Sequence, residues 1–210
     1  MGTFERKSRE YEARRELILR AAKATFAAKG QAAATIDDVA QRAEVAKGTI
    51  YRYFKSKEDL FHVLVEDGLA RLAQRFRVAI DPGFPADENL RRLTQAYLDF
   101  YREEPDYFWI CYFGGARDAG GSHSPTEGMR SAGGACIGQV AEVIRHGIAS
   151  GVFNASIDPM EAAVLTWSAS SGIIFVCERD LGPIKLTHYQ ADQLLRTNTE
   201  LMIRAFRADD

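Results

Sequence analysis

The sequence predicts an all-α protein, with an N-terminal three-helix helix-turn-helix unit followed by a larger helical body. Two observations carry this. Helix-start chemistry recurs, in which a side-chain oxygen accepts from a free backbone N–H and an acidic or amide side chain follows three residues on. Thr35-Ile-Asp-Asp38, Ser56-Lys-Glu-Asp59, Ser124-Pro-Thr-Glu127, Asp158-Pro-Met-Glu161 and Thr187-His-Tyr-Gln190 have this form or a close variant. Between these starts apolar residues return near the 3.6-residue helical period, and neither strand alternation nor an internal repeat occurs.

Taken in order, Ile18, Ala22 and Phe26 share one face of a first helix that Gly30 can end. Thr35 opens a short helix with Ile36, Val39, Ala40 and Ala43 inward. Val45 falls in a turn, and Gly48 to Phe54 reads as a second short helix with Ile50 and Phe54 buried. Leu60, Leu64, Leu72 and Phe76 recur along a long helix from Ser56 to about Ile80. Leu90, Leu93, Tyr97 and Phe100 mark another stripe. Residues 107–113 are apolar or aromatic on every face, which a helix enclosed by others requires. Val140, Val143, Ile144 and Ile148 line a helix closed by Gly151, and two helices at about 159–180 and 188–207 finish the chain. Asp81-Pro-Gly-Phe-Pro85 and Gly114–Ser124 read as connections.

Composition bounds the function. The chain has 210 residues, 27 Lys plus Arg and 29 Asp plus Glu, and twelve Phe, eight Tyr and two Trp to bury. That length allows one large domain or two small ones with a core needing no metal or disulfide. Cys111, Cys136 and Cys177 are widely spaced with no Cys-x-x-Cys, so neither a zinc site nor a disulfide framework is expected. No apolar run approaches the roughly 18 residues of a membrane span, and the N-terminus has no apolar secretion core; a cytoplasmic protein without membrane association is the expectation. Residues 1–60 carry a net charge of +4 and the remainder −6, so only the N-terminal part is suited to face a polyanion.

Residues 35–54 hold the informative motif. Two short helices with a small Ala40 at their crossing form a helix-turn-helix, whose second helix presents outward residues to a DNA major groove. Lys47, Thr49, Tyr51, Arg52 and Tyr53 supply cations, hydroxyls and aromatic edges on that surface. Beyond them Lys55 and Lys57 are placed for phosphates. Core packing explains Ile36, Val39, Ile50 and Phe54 but does not ask for Lys47, Thr49, Arg52, Tyr53 or Lys57. Arg6, Lys7 and Arg9 are expected in a solvated, disordered tail rather than in an arm reaching a minor groove.

Residues 14–64 resemble the DNA-binding domain of the TetR family of bacterial regulators. The resemblance rests on Phe26-Ala-Ala-Lys-Gly30, Thr35-Ile-Asp-Asp-Val-Ala40 and Lys47-Gly-Thr-Ile-Tyr-Arg-Tyr-Phe-Lys-Ser-Lys-Glu-Asp-Leu60. Gly147-Ile-Ala-Ser-Gly151-Val-Phe153 and Asp158-Pro159 weakly echo the junction of the family's seventh and eighth helices. The resemblance implies a homodimer, DNA binding through helices two and three by Thr35, Lys47, Gly48, Thr49, Tyr51, Arg52, Tyr53 and Lys57, and a ligand pocket among the C-terminal helices. It divides the chain into a DNA-binding domain over 1–55 and a ligand-binding and dimerisation domain over 56–210, joined by helix 56–80. Two positions depart from the family: Glu44 stands where glycine commonly makes the turn, and Ala46 replaces a frequent Ser or Thr cap.

The aromatic run and Gly128, Gly133, Gly134 and Gly138 suggest either close helix crossing or empty volume, since each mid-helix glycine costs about 1 kcal/mol relative to alanine. The pocket candidates are Tyr97, Tyr101, Trp109, Phe113, Met129 and Trp167, and the expected effector is a small apolar or aromatic molecule. Residues 159–207 are the dimer candidates, with small Ala162, Ala163 and Ala169 opposing bulky Leu195, Leu201 and Phe206. An enzyme is not expected: there is no nucleophile elbow, phosphate-binding glycine loop or dinucleotide fingerprint, and the four histidines are dispersed. No cofactor or metal is implied. The alternatives are a dimeric helical adaptor and a constitutive DNA-binding protein without an effector pocket.

Overall fold

The computed structural model describes the backbone of residues 3–113, 125–178 and 190–208. Among these it is all-α, with α1 Thr3–Ala33, α2 Ile36–Arg42, α3 Lys47–Tyr51, α4 Lys57–Ala79 and α5 Ala86–Glu103. After them come α6 Pro105–Phe113, α7 Glu127–Ala149, α8 Pro159–Glu178 and α9 Ala191–Phe206. The only extended pairing among the described residues is one isolated bridge between Phe153 and Arg207.

The chain divides into two compact units. The first comprises residues 1–69 and 104–130, the second 70–103 and 131–210. This differs from the 55/56 division expected from the sequence. α6 returns to the first unit because its apolar surface buries against α1, Tyr107, Phe108 and Ile110 being buried. Its approach to α4 is close: a Cβ on Gly68 would lie 2.7 Å from Cys111 Sγ and 2.9 Å from a Tyr107 ring carbon. The Tyr107 hydroxyl donates to the Asp67 carboxylate, and Lys23 of α1 stands 4.4 Å from the Tyr107 ring centroid.

In the first unit α1 is broken at Gly30 (φ 75°, ψ 164°), as its sequence position anticipates. Its beginning corrects the expectation of a disordered tail: α1 starts at Thr3, and Arg6 and Arg9 lie on exposed helix, where Arg6 pairs with Glu10 at 3.7 Å. Charges four residues apart support a solvated helix that has no core face to bury.

The second unit packs α5, α8 and α9 around the later parts of α4 and α7. Arg91 grips Glu200 of α9 through two bonds, at 2.6 and 3.1 Å, a fork-to-carboxylate match that fixes α5 against α9. Asn89 ties the preceding turn by donating to the Asp81 and Phe84 carbonyls and accepting from the Asp81 N–H. The α7–α8 connection turns at Gly151 (φ 74°), and Phe153 lies flush on Gly147, where no side chain would fit. Asp158 accepts from the Met160 and Glu161 amides to start α8, with Pro159 at the first helical position. α7 is capped by Thr126, whose hydroxyl accepts from the Met129 amide; Ser124 and Thr187 lie outside the described residues. α8 is, against expectation, long and apolar enough to cross a membrane by length and composition. Its Ala162, Ala163 and Ile174 are buried while Met160, Val164 and Leu165 are exposed, and one such helix is weak evidence of a membrane span.

Candidate nucleic-acid interface and apolar cavity

Thr35 begins the motif with a reciprocal cap. Its hydroxyl accepts from the Asp38 amide at 3.1 Å while Asp38 Oδ2 accepts from the Thr35 amide at 3.0 Å. Lys29 donates to Asp38 Oδ1 at 2.7 Å. These bonds, Lys29 first and Thr35 next, hold the Asp38 carboxyl down at about 2. α2 then ends in a six-to-one and five-to-two pair of bonds, Val45 N–H to the Ala40 carbonyl and Glu44 N–H to the Gln41 carbonyl. Glu44 sits at φ 53°, so the left-handed turn is made without glycine at a cost of about 1 kcal/mol. Ala46 precedes α3 with no side-chain cap bond.

Ile50 and Phe54 are buried, which aims the opposite side of α3 at solvent. Lys47, Gly48, Tyr51 and Arg52 are exposed and Thr49 is half-buried. A Cβ built on Gly48 meets no heavy atom within 4 Å, so internal packing does not ask for glycine there. Lys47 is held by Asp37 at 2.8 Å, and this carboxylate raises its pKa. Among the described residues Arg52 has no ion-pair partner. Tyr53 is half-buried against Tyr11 of α1, ring centroids 4.5 Å apart, so its aromatic face is partly used by the fold.

Lys57 is placed differently from its expected position on a phosphate. Its ammonium donates to the Gln31 carbonyl at 2.8 Å, Ala34 at 3.2 Å and Ala32 at 3.4 Å, taking all three N–H groups. The last carbonyls of a helix lack intrahelical donors and carry partial negative charge, so a lysine folding back satisfies both needs. Ser56 caps α4 by accepting from the Asp59 amide at 3.1 Å.

The second unit holds an apolar cavity of about 40 Å³ that opens into about 450 Å³ of space including solvent. Leu72 and Phe76 of α4 form one wall, Leu90, Leu93, Thr94 and Tyr97 of α5 another. α7 gives Cys136, Ile137 and Val140, and α8 gives Thr166, Trp167 and Ser170. Among the described residues no charged side chain lines it. Burial pushes the Cys136 thiol up to about 12. Of the residues expected from sequence, Tyr97 and Trp167 border this cavity. Tyr101 does not: it is half-buried and hydrogen-bonded to Glu178, burial being the larger reason its phenol titrates higher. Trp109 and Met129 belong to the first unit, Trp109 edge-on to Phe108 at 5.3 Å. The Phe113 side chain lies outside the described residues. Gly134 is exposed with open space beyond it, and Gly128 is instead a close-approach site against Glu66. Sequence reasoning missed Thr94, Thr166 and Ser170; as ordinary mid-helix hydroxyls they give no signal until four helices converge on them.

A short, capped helix pair presenting a basic and hydroxyl-bearing surface, on an all-helical body, defines the class of helix-turn-helix DNA-binding proteins. Residues 18–64 match the model of the bacterial regulatory proteins of the tetR family. The N-terminal unit of the chain is thus similar to the DNA-binding domain of that family. It is 42% identical over 87 residues to the uncharacterized HTH-type transcriptional regulator YhgD of Bacillus subtilis, covering 41% of this chain and 46% of that protein. It is 33% identical over 85 residues to the transcriptional repressor KstR2 of Mycolicibacterium smegmatis, covering 40% of each. The chain thus spans about half the length, or less, of these relatives. Among solved structures it is similar in fold to the regulator FadR of Bacillus subtilis in complex with stearoyl-CoA, with TM-score 0.77 and 19% identity over 91% of this chain and 99% of that one.

Proposed function

We propose that this chain is a ligand-responsive transcriptional regulator of the cytoplasm, a homodimeric repressor released from a near-palindromic operator by a small apolar or aromatic molecule. The observation that carries the DNA-binding part is the solvent side of α3. Lys47, Gly48, Thr49, Tyr51 and Arg52 stand over a core of Ile50 and Phe54. A helical glycine costs about 1 kcal/mol relative to alanine, and no neighbour within the protein accounts for Gly48. Close approach of a DNA backbone does account for it. Two such helices in successive major grooves, about one helical turn apart, require the palindrome.

The effector reading is supported by the second unit's cavity, whose apolar walls suit the body of a small molecule. α4 supplies the coupling: it runs unbroken from Lys57 to Ala79, starts directly after the helix-turn-helix, and carries Leu72 and Phe76 of the cavity wall. A ligand shifts the dimer from its DNA-competent state only by its differential affinity for the two states, typically 1–3 kcal/mol.

Selection of duplexes from a randomised pool, followed by mobility shifts, tests the first part. Arg52→Ala and Lys47→Ala are expected to weaken the selected duplex by about 1–3 kcal/mol each. Indifference to both overturns DNA recognition through α3. For the second part, a cavity ligand and the operator must weaken each other's binding by the same factor. DNA binding unaffected by every cavity ligand leaves a constitutive DNA-binding protein.

A further inference from the structure

The hydrogen-bonding state of the cavity's hydroxyls can be assigned atom by atom. Thr166 Oγ1 donates to the Ala162 carbonyl at 2.8 Å and Ser170 Oγ to the Thr166 carbonyl at 2.8 Å. Ser171 Oγ lies 2.9 Å from the Trp167 carbonyl and 2.8 Å from the Tyr97 hydroxyl, and with Ser171 donating to the carbonyl the phenol donates to Ser171. Thr94 and Thr199 lie 2.7 Å apart, and each also reaches its own preceding-turn carbonyl, Leu90 at 3.1 Å and Leu195 at 2.9 Å. Two protons serve those three contacts, leaving none over. Each hydroxyl has one proton and two lone pairs, so these groups offer a guest lone pairs and no protons.

Two further donors belong to the walls. The Cys136 S–H is a weak one, and because burial raises its pKa it is no thiolate at neutral pH. The Trp167 indole belongs to a side chain that is 40% exposed and already has an interaction of its own. No Lys, Arg, His, Asp or Glu lines the cavity among the described residues, so an ionised guest finds no counter-charge.

We infer that the cavity selects an uncharged, apolar-bodied molecule carrying a hydrogen-bond donor, an alcohol or a phenol, and discriminates against carboxylates, thioester polyanions and molecules whose only polar atom is an acceptor. This rests on the cavity being the effector site. The guest's O–H is received by Thr166 Oγ1 or Ser170 Oγ on α8, while its body packs on Phe76, Leu90 and Leu93.

Matched probes on one skeleton test it: 4-butylphenol, 4-butylanisole and 4-butylbenzoate, with decan-1-ol, 1-methoxydecane and decanoate as a flexible series. Each is titrated calorimetrically into the full chain at pH 8. The donor-bearing member of each series is expected to bind about tenfold more tightly than its methyl ether. It should exceed the carboxylate by about a hundredfold or more. In the Thr166→Val/Ser170→Ala double variant the preference for phenol over anisole should fall to near unity while anisole affinity is kept, which also reports that the fold survives. Should either ether or either carboxylate bind as tightly as its donor-bearing partner, or the preference persist in the double variant, the donor rule is overturned and the cavity stands as a binding site. Binding of none of the six overturns the cavity as a binding site, and the donor rule with it.

Discussion

The ammonium of Lys57, at the start of α4, donates to the main-chain carbonyl of Gln31 at 2.8 Å and so closes the end of α1. A residue whose position beside the recognition helix marks it for a phosphate is thereby a structural tie within the DNA-binding unit. Lys57→Ala is expected to lower that unit's stability by about 1–3 kcal/mol, the range for a hydrogen bond to a charged group. The slope of log affinity against log salt for DNA should stay unchanged. Chemical denaturation and salt-dependent mobility shifts check the two halves; a shallower slope with unchanged stability would return Lys57 to the phosphate backbone.

Asp37 holds Lys47 at 2.8 Å on an exposed surface. Duplex approaching α3 must share that lysine with the carboxylate. Asp37→Asn is therefore expected to strengthen binding to all duplexes about two- to fivefold, the scale of an exposed ion pair, with a steeper salt dependence. Fluorescence anisotropy on specific and scrambled duplexes measures it.

Asp38 gives the helix-turn-helix a pH signature. Its folded carboxyl titrates at about 2, held down by Lys29 and Thr35, against about 3.9 in an unfolded chain. A depressed carboxyl contributes stability that is complete above the unfolded value and lost as pH falls toward the folded one. The stability gap between wild type and Asp38→Asn should therefore be constant above about pH 5, shrink between about 4 and 2, and vanish below. Urea denaturation across that range gives the curve.

Leu165 and Leu201 are 59% and 58% exposed on α8 and α9, beside exposed Val164 and Met160. Isolated exposed leucines are ordinary, but several large apolar side chains on the two final helices suit a surface that a second copy covers. Sedimentation at micromolar concentration is expected to give a dimer for the wild type and a monomer for Leu165→Glu/Leu201→Glu.

The glycines of α7 should separate by what faces them. Gly134 meets open space, so Gly134→Ala should gain about 1 kcal/mol from helix propensity. Gly147 lies flush on Phe153, so Gly147→Ala should cost about 1–3 kcal/mol through overpacking. Thermal melts of the two variants, moving in opposite directions, check the assignment.

The sequence by itself determined the helical class, the start of α2 and α8, the breaks at Gly30 and Gly151, and the inward set Ile36, Val39, Ile50 and Phe54. Those features are local: a cap, a turn and a 3.6-residue period act over four to eight residues and are written consecutively. The outward surface of α3 was legible for the same reason, because fixing the buried face of a short helix fixes its opposite. Only the tertiary structure decided where cations and hydroxyls spend their hydrogen bonds. Lys57 finds carbonyls twenty-six residues earlier in the chain, and Tyr97 reaches Ser171 from seventy-four residues away. It also decided the cavity. The aromatic run at 107–113 reads as an enclosed helix beside either close crossing or empty volume, and α6 spends its surface on α1 while the plain hydroxyls of Thr166 and Ser170 line the open space. A side chain's partner depends on which helices meet, a long-range outcome that periodicity along one helix does not encode.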